Sequence, residues 1–121
     1  MADKVFEMTP SKIGTARVSS RAILAPKESL TYQNCEELEA MIRDCLDQKK
    51  TEIIVDFKKV SFMDSEALEL LLRIHNELKD CGGSLKLLGL DAVCLDILKV
   101  TRLSHVFRIY EDIHKAIKDM I

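Results

Sequence analysis

Along this chain the apolar residues change period several times, and each change marks an element. Residues 4 to 8 and 16 to 24 read as extended segments, the second through Ala16-Arg17-Val18 and Ala22-Ile23-Leu24, with a turn around Pro10 and Gly14 between them. Leu38, Met41, Ile42, Cys45 and Leu46 then recur at helical spacing, so a first helix is expected from Cys35 to about Gln48. Asn34 followed three residues later by Glu37 has the form of a capping pair at its start. Glu52-Ile53-Ile54-Val55-Asp56-Phe57 is short, β-branched and apolar on consecutive positions, as expected of an interior strand covered on both faces and hence of the sheet centre.

After Ser65 the helical period returns through Leu68, Leu71, Leu72, His75 and Leu78, and Gly82-Gly83 stops it. Ser84-Leu85-Lys86-Leu87-Leu88 is a further strand. Asp91 is placed to cap a third helix carrying Val93, Cys94, Ile97, Leu98 and Val100 on its apolar face. Val106-Phe107-Arg108-Ile109 is a short extended stretch, and a last helix is expected over about 111 to 119. Strands alternating with helices at this spacing predict an α/β domain with a mixed β-sheet, its later strands parallel and joined by right-handed crossovers, packed by about four helices. A length of 121 residues with 47% hydrophobic content suits one domain over residues 1–121, with no linker or repeat.

Charge narrows the partners. With 18 basic and 20 acidic residues and a formal net charge of −2, there is no bulk electrostatic case for nucleic acid or an anionic membrane, so a protein or small-molecule partner is expected. No apolar run approaches the roughly 20 residues that span a bilayer. The first residues lack the charged-then-apolar order of a signal peptide, and a cytoplasmic location is expected. Cys35, Cys45, Cys81 and Cys94 lie far apart without a C-x-x-C pair, and His75, His105 and His114 have no metal-ligand spacing, so no metal or cofactor is expected. Cys45 and Cys94 fall on apolar helix faces and are expected to be buried, whereas Cys81 beside Gly82 is a candidate exposed thiol.

The chemistry concentrates where Val60-Ser61-Phe62-Met63 gives way to Asp64-Ser65-Glu66-Ala67 at the start of the second helix. Ser65 stands at a helix N-terminus, where unpaired N–H groups and the positive end of the helix dipole favour acidic and hydroxyl groups. Two uses fit this placement: plain capping, and a phosphoacceptor whose modification adds about −1.5 to −2 charges at pH 7. A hydrolase nucleophile needs G-x-S-x-G, and a nucleotide loop needs G-x-x-x-x-G-K-[ST] or G-x-G-x-x-G; none is present, and no catalytic residue is assigned.

Three segments together resemble the STAS domain family of anti-sigma factor antagonists and their relatives. Ile53 to Ser65 is similar to the family's strand and its D-[LF]-x-x-V-x-[FY]-[IM]-D-S turn. Gly83 to Leu90 is similar to its next strand, and Leu98 to Tyr110 to its L-x-x-T-x-L-x-x-[VL]-F-x-I-[YF] ending. The resemblance spans residues 16 to 120. It implies a non-enzymatic regulator that binds an anti-sigma factor, a serine kinase of the histidine-kinase-like ATPase type, and is released by phosphorylation at Ser65 and reset by a serine phosphatase. Asp64, Ser65, Glu66 and Ala67 would then form the partner-binding site of a monomer or weak dimer. Many switching members continue D-S-[ST]-G, where this chain has Glu66 and Ala67, and Leu24 to Thr31 stands in place of the usual G-x-[LI]-D stretch. An alternative within the family is a subunit docking on an ABC-type transporter ATPase in lipid trafficking.

Overall fold

The computed structural model describes residues 8–10 and 21–119. Among the described residues, two strands are followed by helices and strands in alternation: β1 (Met8–Pro10), β2 (Arg21–Leu24), α1 (Cys35–Asp47), β3 (Glu52–Asp56), α2 (Ser65–Asp80), β4 (Ser84–Leu88), α3 (Ala92–Val100), β5 (Arg108–Tyr110) and α4 (Ile113–Lys118). They form one five-stranded sheet in the order β1-β2-β3-β4-β5. Strand β1 runs antiparallel to β2, and the next three pairings are parallel, with Ile53 opposite Ala22 and Leu85. This is the expected α/β architecture with a mixed sheet, and β3 is its central strand.

Strand alternation divides the sheet into two unlike faces. Ala22, Leu24, Ile53, Val55, Leu85 and Leu87 point to one side and share a core with Leu38, Ile42 and Cys45 of α1, Leu70, Leu71, Ile74 and Leu78 of α2, and Cys94 and Leu98 of α3. Ile54 and Leu88 point the other way and pack with Ala116 of the short α4, joined by Ile23, Tyr110, Ile113 and Ile117. That face also carries ions. Lys86 is only 1% exposed, and its ammonium donates to Glu52 Oε2 at 2.7 Å, to the Ala116 carbonyl at 2.8 Å and to the Asp119 carbonyl. All three ammonium protons are thereby satisfied, two of them on the C-terminal carbonyls of α4, where a cation suits the helix dipole. Glu52 Oε1 takes a second cation, Arg21, at 2.8 Å.

Several boundaries differ from the sequence reading. Pro10 ends β1 opposite Ala22 rather than sitting in a turn. An edge strand tolerates a residue without an N–H, because one side of its ladder is unpaired. The extended segments expected at 4–7 and 16–20 lie outside the described residues. The last strand is Arg108–Tyr110, two residues later than its apolar signal, because Phe107 is a core residue reached through a turn. Val93 and Val100 are exposed rather than part of the apolar face of α3. Asn34 does not cap α1 by its side chain. Its Oδ1 accepts from Thr31 N at 2.9 Å and its Nδ2 donates to the Ser29 carbonyl at 2.8 Å, so it braces the preceding loop instead. Cys45 and Cys94 are buried and Cys81 is exposed, as their positions implied.

Candidate functional site

The sequence between β3 and α2 is held by the segment that precedes α1. Leu30 N donates to the Phe62 carbonyl at 3.0 Å and Asp64 N to the Leu30 carbonyl at 3.1 Å, which makes an isolated parallel bridge between Leu30 and Met63. Both side chains are buried, so burial reinforces the backbone bonds. Asp64 completes the junction with its two carboxylate oxygens. Oδ1 accepts from Ala67 N at 3.0 Å and caps α2, while Oδ2 accepts from Tyr32 N at 2.8 Å and ties the other segment down. A short neutral residue would offer fewer acceptors at this place. Outside the bridge, Ser29 Oγ and Ser61 Oγ lie 3.2 Å apart.

On this platform Ser65 is the first residue of α2 and is exposed, as is Glu66, while Asp64 is half-buried. Ala67 is fully buried, so of the four candidate residues three reach the surface and the fourth supports them from the core. The methyl at position 67 therefore faces the interior and is no obstacle on the outer surface. Among the described residues nothing hydrogen-bonds the Ser65 hydroxyl, and both oxygens of the adjacent Asp64 carboxylate already accept from backbone N–H groups. Backbone N–H groups of the first helical turn remain beside it, since Asp64 occupies those of Ala67 and Leu68.

Two exposed aromatic residues that the apolar periodicity did not single out lie on the two segments joined at this junction. Tyr32, 66% exposed, follows the loop whose backbone Asp64 holds, and Phe62, 46% exposed, precedes Asp64 by two residues. Neither takes part in a helical or strand period, which is why pattern reading passes over them; their signal is an aromatic ring within a polar loop. The corner is also acidic. Burial first, then Asp64, Glu66 and Glu39, push the Cys35 thiol at the start of α1 up to about 11, against a smaller opposing effect of Arg73. Cys35 is therefore a thiol at neutral pH.

No cluster of three or more His, Cys, Asp or Glu side chains able to hold a metal occurs among the described residues. No helix of the structure, among the described residues, is long and apolar enough to cross a membrane.

Solved structures share this arrangement. The Thermotoga maritima protein TM1081, described as a candidate anti-sigma factor antagonist, superposes with a TM-score of 0.82 at 21% identity, covering 93% of this chain and 92% of that one. The anti-sigma factor antagonist SpoIIAA of Bacillus, in its unphosphorylated form, gives 0.67 at 22% identity over 93% of this chain and 94% of that one. Its phosphorylated form gives 0.68. A murine anion transporter of the solute carrier 26 family contains a similar unit, with a TM-score of 0.66 at 19% identity over 85% of this chain and 18% of the transporter. At these identities the likenesses establish the fold. The STAS domain family itself matches residues 12–116, almost the whole chain, with β2 to β5, the three helices on one face and the Asp64-Ser65 junction inside the match; the chain belongs to the STAS domain family.

Proposed function

We propose that this protein is an anti-sigma factor antagonist that binds an anti-sigma factor with serine kinase activity through the surface around Ser65 and is released when Ser65 is phosphorylated. The observation that carries the reading is the exposed, unengaged Ser65 hydroxyl on a junction fixed from both sides by Asp64, with the exposed Tyr32 and Phe62 on the two segments joined there. Exposed aromatics next to a polar centre are the composition of a protein-binding surface. A phosphate on Ser65 would sit near the first-turn N–H groups of α2 and so would not unfold the helix. On the outer side it would add its charge next to Asp64 and Glu66, in a contact that excludes water, and a partner offering no new cations there would be expelled. The switch is thus electrostatic and local. A serine phosphatase would complete the cycle, and the protein would act in the cytoplasm as a single regulatory domain without catalysis of its own.

The test is an affinity capture from cell lysate with wild-type and Ser65→Asp baits, and mass spectrometry of what each retains. A histidine-kinase-like ATPase held by wild type and lost by the aspartate variant supports the proposal. Recovery of an ABC-type ATPase with its permease by both baits would replace it with the transporter-docking role.

A further inference from the structure

At the opposite end of the sheet from Ser65, the N-terminal ends of the parallel strands border a cleft of about 700 Å³. Its walls come from the start of β2 (Arg21), the turn before β3 (Thr51, Glu52), the last turns of α2 (His75, Lys79), the Gly82-Gly83 turn into β4, and the segment entering β5 (His105, Phe107, Arg108). The size is within the roughly 300–1,000 Å³ typical of small-molecule sites. Its charge is one-sided. Three residues with accessible cationic side chains, Arg21, Lys79 and Arg108, and two imidazoles line it with a single carboxylate, Glu52; Lys86 also borders it, but its ammonium is buried against the end of α4. That carboxylate is already neutralised, with one oxygen on Arg21 and the other on Lys86.

Lys79 and Arg108 stand outside that carboxylate pairing, Arg108 being in register with Lys86 and acting also on the Tyr110 hydroxyl. Among the described residues neither has a carboxylate within ion-pair distance, although acids make up a large share of the surface elsewhere. Both act on the same point: the His75 imidazole is held below its ordinary range by burial first and then by Lys79 and Arg108. Two cations brought by different elements to the lining of one cleft, in a protein of net charge −2, are a local excess of positive charge. His75 packs edge-on against Phe107 with ring centroids 5.7 Å apart, which gives the cleft an apolar wall beside its charges. Gly83 lets the turn into β4 pack directly on Thr51, since a Cβ there would lie 2.3 Å from the Thr51 carbonyl oxygen.

We propose that this cleft binds a small phosphate-bearing ligand, its phosphate held between Lys79 and Arg108 and the remainder lying against His75 and Phe107. Phosphate fits this set better than a carboxylate does, because a dianion is matched by two cations lining one cleft and an arginine fork can hold two of its oxygens. The cleft is also larger than a bare ion fills. This site is separate from the Ser65 surface and does not rest on the regulatory reading.

The test is a nuclear magnetic resonance titration of the full chain with inorganic phosphate, with ribose 5-phosphate and, at matched ionic strength, with sodium chloride. The expected result is saturable movement of the His75 and His105 ring signals and of the Gly82 to Leu85 and Arg108 amides, with a Kd of about 1 mM or tighter for at least one phosphate probe. Tighter binding of the ester assigns a phosphorylated small molecule; equal binding assigns phosphate itself, and both support the site. Lys79→Gln with Arg108→Gln, at two exposed positions, should weaken binding by about tenfold or more with the thermal transition of the fold retained. Equal responses to chloride, movement centred elsewhere, or undiminished binding by the double variant would overturn the assignment.

Discussion

Replacing Asp64 by alanine should loosen the Ser65 platform by an amount that can be worked out from its two acceptors. The cap to Ala67 N, at 3.0 Å, is an N-cap bond whose loss to alanine typically costs about 0.5–2 kcal/mol. The bond to Tyr32 N, at 2.8 Å, is made at the surface, where water replaces the lost acceptor, so its worth is near the lower end of the usual range, about 0.5 kcal/mol. Together the loss is about 1–2.5 kcal/mol. Asparagine at the same position offers one carbonyl oxygen, enough for the cap and not for both donors, so Asp64→Asn should retain most of the capping share and lose the Tyr32 tie. Urea unfolding followed by circular dichroism measures the order wild type, Asn, Ala from the midpoints at constant m. Amide exchange at Tyr32 should rise in both variants, and at Ala67 mainly in the alanine variant. An alanine variant within about 0.3 kcal/mol of wild type would refute the account, because the junction would then be held by the Leu30–Met63 bridge alone.

The same structure sets expectations elsewhere. Lys86→Met removes the cation shared by Glu52 and the end of α4, and should cost about 3 kcal/mol; Arg21 still serves Glu52, but the α4 carbonyls lose their donor. Chemical denaturation gives the magnitude, and unchanged exchange protection of the α4 amides would refute the anchoring role. Native-state thiol labelling at pH 8, read by mass spectrometry, should modify Cys81 first, the half-buried Cys35 with its raised pKa more slowly, and the buried Cys45 and Cys94 only when the chain unfolds; labelling of Cys35 as fast as Cys81 would contradict that shift. Folding raises Cys35 from an ordinary 9.0 to about 11 and Cys94 to about 12, in both cases chiefly through burial. The unfolded chain therefore releases these protons first, so stability should fall as pH rises from about 9 towards 11, and a flat urea midpoint across that window would refute the shift.

Helix α2 shows why most of the fold could be read from the sequence. Leu68, Leu71 and Leu78 recur at its period, Asp64 stands at its cap, and glycine follows its end, so local preference and burial agree. Strand β3 was readable for the same reason, as consecutive apolar residues covered on both faces admit few alternatives. The misreadings share a different cause: a partner remote in sequence changed what a local pattern meant. Asn34 and Glu37 have the spacing of a capping pair, yet Asn34 serves Thr31 and Ser29 because the loop must be braced where it runs beside Met63. The extended signal at Val106 and Phe107 is displaced by two residues because Phe107 is drawn into the helix-side core against His75.

The Ser65 corner was legible only in its centre. Asp64 and Ser65 are marked by their place at a helix start, which is a property of ten consecutive residues. The ring around them depends on the pairing of residue 30 with residue 63, which no window of that length contains, and that pairing brings Tyr32 to the junction. It also gives Asp64 a second task. An acid needed only for capping could be replaced by serine or asparagine with little change, whereas one that also holds the neighbouring segment makes the Tyr32 surface and the helix start a single unit. A partner that grips Tyr32 would therefore sense a change at the helix start through one carboxylate, with no longer pathway needed.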